Sequence, residues 1–482
     1  MAETETSNQR ARRRFVDAGL SLGVLRFGGP LVVGMVLHTL FNLVDMFMIS
    51  RLPDSSAALA ALGLCDMVAA VATILSNGIA TAAVALITRH VGAGHLSGVR
   101  RATYQSLLLV VVLSVVFGLI GWFGSDLIVR RLMFAKGDTA DVATAYLEVI
   151  LGGSFSIFLL LHLTAVLRAL GHAKTATVLL VSGNALNVLL NVFFIYGDGP
   201  SPEVFAWGAP VARLFGIPRL GVLGAAYATV IARSVPVVIG LWLLARRRGG
   251  PRFHPLYLRP NPAVLRSLLR IGWPASLQLV LRVSSILVFI ALINAEYTTI
   301  ADQSALTAYS ICLRLETMAL FVGMGWGAAA SSFVGANLGA GHEGRAKRAG
   351  YIAAGYNLAM MLALAALYVR YSDALLGIFD TTPAVLAIGH EYLSIVAFSY
   401  AFLGVGVVLS QAMTGAGATL SSLVLDAASL LGVILPAAYV VAATLDLPRT
   451  SLFWVISLGN VGSAVLYVGY YGTGAFLRKQ LR

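Results

Sequence analysis

Long apolar stretches, separated by short polar loops, run through this chain from end to end. They show little strict alternation of apolar and polar positions, which is typical of helices and not of barrel strands. A helix needs about 20 mostly apolar residues to cross the hydrocarbon core of a bilayer. Stretches of this kind lie at residues 22–50, 57–89, 103–123, 141–168, 175–197, 220–245, 271–295, 304–332, 349–371, 388–414, 419–445 and 450–477. The pattern predicts an all-α membrane protein with twelve transmembrane helices.

Composition supports a membrane protein. Of the 482 residues, 58% are hydrophobic and 11% are charged, whereas soluble domains carry about 25% charged residues. The segment from Met1 to Arg14 is polar and then Arg-rich, without the apolar core and cleavage site of a secretory signal, so we expect no processing. Cys65 and Cys312 each fall in an apolar stretch. We expect them to be packing residues and not a disulfide or a metal site.

The basic residues are unevenly distributed among the loops. The net charge is +13, but most Lys and Arg residues fall on one side of the predicted membrane, including the cluster from Arg246 to Arg270. This is the positive-inside pattern of the cell membrane, and it places both termini in the cytoplasm. The charge is therefore topological, and we expect no nucleic-acid partner.

Three short motifs occur twice, in the same order and about half a chain apart. They are Arg26–Pro30 with Arg270–Pro274, Gly92–His95 with Gly339–His342, and Gly171, Ala173 and Thr175 with Gly415, Gly417 and Thr419. An even number of spans in each half makes such repeats parallel, with an axis along the membrane normal. The predicted organisation is a cytoplasmic tail 1–21, lobes 22–245 and 271–477, a basic linker 246–270 and a tail 478–482.

Pro30 and Pro274 occupy equivalent positions in the first helix of each half. Proline removes a helix hydrogen bond, so both could act as hinges when two lobes rock against each other. Gly and Pro also serve close packing in membrane helices. Both interpretations stay open at this point.

The stretch from Phe27 to Arg51 carries a single carboxylate, Asp45, one turn after Asn42. An ionised carboxylate in a medium of low dielectric constant is costly unless a cation or a proton compensates it. Asp45 is therefore a candidate site for a coupling ion. The alternative is an interfacial Asp that caps the end of the helix.

Motifs in both halves are shared with one transporter family. They are Pro30 with Asn42–Asp45, Val91–Gly94, Asn187–Asn191, Gly221–Thr229, Val334–Gly341 and Gly415–Thr419. In this set the chain resembles the multidrug and toxic compound extrusion (MATE) family. The resemblance implies two six-helix lobes around a central cleft, no cofactor, and export of amphipathic or cationic organic compounds driven by protons or sodium. We also expect the protein to act as a monomer.

The resemblance places an ion-coupling site in the first lobe, at Asp45, Asn187, Asn191 and Thr229. The position of Asn191 is commonly Asp in relatives, so one negative charge is missing here. This favours protons over sodium as the coupling ion, with sodium as the alternative. Arg233 lies one helical turn from Thr229, on the same face. It either takes part in coupling or forms an ion pair with Asp45 or Glu148 that holds the lobe together.

The second half has its own charges inside apolar stretches, namely Arg282, Arg314, Glu316 and Asp426. We expect these charges to pair, because an unpaired charge in the bilayer is costly; a role in coupling is the alternative. Some relatives have a cation-binding Glu near the position of Arg282, so we expect no sodium site of that kind here.

Other functional classes lack their motifs. The chain contains neither the Gly-x-x-x-x-Gly-Lys-Ser/Thr loop of a nucleotide-driven pump nor a His-Glu-x-x-His metal site, and we predict that it is not an enzyme. A channel stays open. The main alternative is a lipid-linked saccharide flippase of the same superfamily, in which Arg233, Arg282 and Arg314 would face the cleft unpaired.

Overall fold

The computed structural model describes residues 7–52, 55–246, 257, 259–445 and 447–478, and within them the regular structure is helical. The long helices are α1 (Leu20–Ser50), α2 (Ser55–Gly92), α3 (Leu96–Asp126), α4 (Gly137–Gly152), α5 (Ser154–Ala169), α6 (Ala173–Asn191), α7 (Gly221–Arg246), α8 (Pro262–Glu296), α9 (Ser304–Gly339), α10 (Glu343–Arg370), α11 (Pro383–Val396), α12 (Ser399–Gly415), α13 (Thr419–Ser429) and α14 (Arg449–Thr473). Shorter helices are Ser7–Arg12, Gly208–Phe215, Ser372–Gly377 and Leu435–Tyr439. Turns of π-helix cover Arg13–Asp17, Leu127–Leu132, Val192–Tyr196, Leu430–Ile434 and Val440–Thr444.

The prediction of an all-α membrane protein is confirmed. Within the described ranges, 10 helices are long and apolar enough to cross a membrane, and counting each of two bent pairs as one span brings the number to 12. The bent pairs are α4 with α5, at 43°, and α11 with α12, at 56°. They correspond to the predicted spans 141–168 and 388–414, the fourth span of each half. The fourth span of each half therefore consists of two helices that meet at a bend.

Left-handed glycines mark the repeat in the backbone. Gly94 (φ 74°) and Gly341 (φ 79°) follow α2 and α9 at matching points, where a residue without Cβ ends a helix at little steric cost. Gly171 (φ 82°) likewise matches Gly417 (φ 81°). The sequence match of Gly171 with Gly415 is thus two residues out of register. Gly415 is instead still helical, and a Cβ there would lie 2.6 Å from Ser331 Cα.

The chain forms two compact units. The first unit comprises Met1–Gln9, Leu37–Ala83 and Leu96–Leu269, and the second comprises Arg10–Val36, Val84–His95 and Arg270–Arg482. The beginning of α1 and the end of α2 thus pack with the second half of the chain, which the predicted lobe boundaries 22–245 and 271–477 do not show. That the two lobes move against each other as separate bodies stays a prediction.

The predicted tails and linker differ from the structure where it describes them. The N-terminal segment packs into the second unit, with Phe15 buried against Phe27 and Phe333 at ring-centroid distances of 5.3 and 5.1 Å. Helix α8 begins at Pro262, within the predicted linker 246–270, since proline suits the first turn of a helix. Residues 1–6, 247–256, 258 and 479–482, in the predicted tails and linker, lie outside the described residues.

The second unit contains a close crossing of α2 and α9. A Cβ on Gly92 would strike the carbonyl of Ala336, and a Cβ on Gly339 would strike the carbonyl of Arg89. Gly92 and Gly339 are equivalent in the repeat, so the contact is reciprocal. Small residues at such crossings let membrane helices approach until their backbones touch.

Candidate functional site

Asp45 lies near the end of α1 in the first unit and is half-buried. Asn191 Nδ2 donates a hydrogen bond to Asp45 Oδ1 at 2.7 Å, and Asn191 is only 1% exposed. Asn191 sits where α6 passes into the π-helical turn Val192–Tyr196. Such π turns are frequent at functional sites because they re-aim side chains within a helix.

Asn187, one turn earlier on α6 and 7% exposed, bridges Asp45 and Thr229. One end of its amide lies 2.6 Å from Asp45 Oδ2 and 3.0 Å from Asp45 Oδ1, and the other end lies 3.1 Å from Thr229 Oγ1. With an ionised Asp45, the amide nitrogen faces the carboxylate and the amide oxygen accepts from Thr229. The four residues predicted as the coupling site therefore form one hydrogen-bonded cluster.

The cluster contains a polar atom that has no partner among the described residues. Asn191 Oδ1 is buried and has no hydrogen-bond donor among the described residues. Asp45 has no ion-pair partner within 4.0 Å in the same part of the chain. Asn187 and Asn191 donate to Asp45, and amide donors stabilise a carboxylate without neutralising it. The site is thus able to receive a small cation or a proton.

Arg233, on α7, lies near this cluster but is not paired with it. Within the described ranges no carboxylate is within 4.0 Å of its guanidinium, although its charge acts on both Asp45 and Asp66. Glu148 is exposed and likewise has no ion-pair partner within 4.0 Å in the described chain. The structure therefore does not contain the alternative ion pair of Arg233 with Asp45 or Glu148.

Asn184 is a neighbour of the site that the motifs do not indicate. Its Nδ2 lies 2.9 Å from His38 Nδ1, on α1. A signal for it is present in the sequence, because Asn184, Asn187 and Asn191 are spaced by three and four residues and so share one face of α6. An apolar helix with three asparagines on one face is unusual enough to indicate a polar site.

In the second unit, Arg282 and Asp426 form a bidentate ion pair, with Nε–Oδ2 and Nη2–Oδ1 distances of 2.6 and 3.1 Å. Asp426 is 3% exposed. It also accepts from Gln278 Nε2 at 2.9 Å and from Tyr467 OH at 2.6 Å. Both carboxylate oxygens are thus satisfied, as a buried ion pair requires.

Arg314 and Glu316 do not pair, contrary to expectation. Their positions are two apart on α9 and so face different directions. Arg314 is exposed, with its guanidinium carbon 5.8 Å from the ring centroid of Phe379. Glu316 accepts from Tyr392 OH at 3.2 Å. It lines a cavity of about 140 Å³ together with Arg282 and Asp426.

Pro30 and Pro274 both lie inside uninterrupted helices, α1 and α8. Neither helix ends at its proline, so each proline removes one hydrogen bond from a continuous segment. Their role as hinges stays a prediction.

The chain is similar to known transporters along almost its whole length. The sequence profile of the family MatE matches residues 30–193 and 274–440. The "Probable multidrug resistance protein YpnP" of Bacillus subtilis is 26% identical over 412 residues, covering 86% of each chain. The "FAD transporter" of Shewanella oneidensis is 24% identical, covering 89% of each chain. A solved structure described as the outward-facing conformation of a multidrug resistance MATE family transporter has a TM-score of 0.87, with 23% identity, and covers 99% of this chain and 100% of its own.

Proposed function

This chain belongs to the MatE family of multi-pass membrane transporters, which are not enzymes, and on that premise we propose that it exports amphipathic or cationic organic compounds in exchange for protons. The observation that carries the proposal is the half-buried Asp45 carboxylate, held by amides and by no direct cation among the described residues. Such a group exchanges a proton as its surroundings change, since burial penalises its charged form.

Asn187 provides a means of sensing that exchange. When Asp45 is ionised, Asn187 Nδ2 donates to it and Thr229 Oγ1 donates to Asn187 Oδ1. When Asp45 is protonated, its hydroxyl donates to Asn187 Oδ1, and the rotated amide donates from Nδ2 to Thr229. The same interatomic distances of 2.6 and 3.1 Å serve both patterns. Protonation of Asp45 on α1 thereby reverses the direction of the hydrogen bond between Asn187 and Thr229, which is on α7.

The composition of the cluster supports protons as the coupling ion. A sodium ion is stabilised by several oxygen ligands and by negative charge, and this cluster has one carboxylate with two amide nitrogens directed at it. A proton needs only one carboxylate oxygen.

Export then requires that the two lobes alternate access to the solute. In this proposal, protonation of Asp45 removes the negative charge that a cationic solute would neutralise. Proton and solute therefore compete for the ionised form of Asp45. Proton entry from outside therefore favours solute release there. The termini lie in the cytoplasm, and a single chain carries out the cycle.

An anionic organic substrate is the second candidate. The guanidinium of Arg233 has no carboxylate partner within 4.0 Å in the described chain, so it could attract an anion. One relative carries the name FAD transporter. A lipid-linked saccharide flippase is less well supported, because Arg282 meets Asp426 inside one unit and does not stand unpaired.

The test uses proteoliposomes loaded with ethidium and, in parallel, with FAD. Each set receives a pH gradient, a sodium gradient at matched pH, or neither. The proposal expects ethidium movement with the pH gradient only, and its collapse by a protonophore. Movement driven by sodium alone would overturn proton coupling, and movement of FAD without ethidium would favour the anionic substrate. The orientation is checked with a fluorescent protein fused to either terminus, and fluorescence on the cytoplasmic side is expected for both.

A further inference from the structure

A cavity of about 590 Å³ lies in the first unit, away from Asp45, where α3 begins and where the chain approaches α8. The described residues that line it are Arg100, Arg101, Gln105, Tyr257, Arg259, Pro260 and Asn261. None of them is acidic. The cavity therefore combines three guanidinium groups from two separate parts of the chain.

Gln105 holds the walls of this cavity together. It is 0% exposed, and its Nε2 donates to the carbonyls of Tyr257 and Arg259 at 2.7 and 2.8 Å. Its Oε1 accepts from the backbone N–H of Asn261 at 2.9 Å. Both N–H groups of the amide and one lone pair of its oxygen are used, so Tyr257, Arg259 and Asn261 are held against α3 before any ligand binds.

The guanidinium groups of this cavity have no carboxylate partner among the described residues. No carboxylate of the described chain lies within 4.0 Å of Arg100, Arg101 or Arg259. Arg100 Nε is buried without a hydrogen-bond acceptor among the same residues. A buried donor without an acceptor is costly, and the planar fork of Arg matches the oxygens of phosphate. The arrangement calls for an anion with several acceptor oxygens.

We propose that this cavity binds a phosphate group, supplied by the headgroup of an anionic phospholipid. Arg100 and Arg101 are in the first turns of an apolar helix long enough to cross a membrane, so they lie at the depth of headgroups. Basic pockets at that depth bind anionic headgroups. The bound phosphate would tie α3 to the segment that leads into α8. Free phosphate shares this chemistry and is separated from the lipid by the test.

The experiment measures binding to the full-length protein in a neutral detergent. Its melting temperature and its tryptophan fluorescence are followed during separate additions of phosphatidylglycerol, phosphatidylcholine and inorganic phosphate. We expect saturable stabilisation by phosphatidylglycerol and none by phosphatidylcholine. Arg100→Gln with Arg101→Gln should weaken the phosphatidylglycerol affinity about tenfold or more, since the loss of even one charge-assisted hydrogen bond has an effect of that size.

Arg266→Gln is the matched control, because Arg266 is an exposed arginine on α8 that does not line the cavity. If the double variant does not fold, Arg259→Gln in the loop tests the same contact. Stabilisation by inorganic phosphate alone keeps the phosphate site and assigns it to a soluble ligand. Equal stabilisation by both lipids, or the same affinity in the cavity and control variants, overturns the proposal.

Discussion

Asn191 donates a hydrogen bond to Asp45 across 2.7 Å, from the last α-helical residue of α6 to a carboxylate on α1. Because position 191 carries an amide, Asp45 is the only carboxylate among the four residues of the described cluster. The charge state of the cluster therefore depends on one proton, and the predictions for this site follow from that dependence.

Asp45→Asn is expected to abolish pH-driven export while the protein still folds. The substituted amide has nearly the same shape and can hydrogen-bond Asn191 and Asn187, but it exchanges no proton. The measurement is ethidium efflux from proteoliposomes, with a loss of about tenfold or more expected. Glu148→Gln, at an exposed carboxylate, is the matched control and should transport normally. Full pH-driven efflux in Asp45→Asn would contradict the assignment.

Asn191→Asp adds a second carboxylate within hydrogen-bond distance of Asp45. Two carboxylates so close repel each other unless a cation or a shared proton lies between them. We expect the variant to acquire efflux driven by a sodium gradient at matched pH. The control is Asn184→Asp, which places a carboxylate on the same face of α6 but beside His38. Unchanged ion preference in Asn191→Asp would count against the role of charge number at this site.

Thr229→Val tests the relay through Asn187. Valine has the shape of threonine without its hydroxyl, so one end of the Asn187 amide loses its partner at 3.1 Å. Loss of such a partner costs about 1–3 kcal/mol, and we expect slower efflux at every pH. Thr229→Ser keeps the hydroxyl and should keep the rate. Equal rates for Thr229→Val and Thr229→Ser would exclude the relay.

Gly339→Ala is expected to lower the melting temperature of the protein. The added methyl group strikes the Arg89 carbonyl, and overpacking of this kind costs about 1–3 kcal/mol. Gly355→Ala, inside α10 where nothing lies within 4 Å, is the matched control and should stabilise the helix slightly. A Gly339→Ala variant as stable as the control would mean that the two helices separate easily.

Asp426→Asn is expected to destabilise the second unit by about 3 kcal/mol, because it leaves the largely buried Arg282 without its counter-charge. The measurement is the free energy of unfolding in denaturant. Arg282→Gln combined with Asp426→Asn should recover part of the loss, since no charge is then left unpaired. If the double variant is less stable than the wild type by the sum of the two single effects, the pair is not coupled.

Local chemistry along the chain was enough for much of the site. The depth of Asp45 in its apolar stretch, and the helical spacing of Asn187 and Asn191, indicate one cluster because both depend on distance along a helix. The pairing of Arg282 with Asp426 agrees with the balance of charge. That Arg314 and Glu316 do not pair with each other could not be predicted from that balance. Their contacts depend on which neighbouring helix each side chain faces.

By itself, the sequence determined that this protein is a helical membrane transporter built from a repeat, since hydropathy, loop charge and recurring motifs are properties of the chain read in order. Only the tertiary structure decided that α1 and α2 are shared between two compact units and that Arg233 stands apart from Asp45. It also decided that three arginines meet around a cavity pinned by Gln105. The physical reason is that contacts between distant segments depend on side-chain shape at helix crossings, which no periodicity encodes.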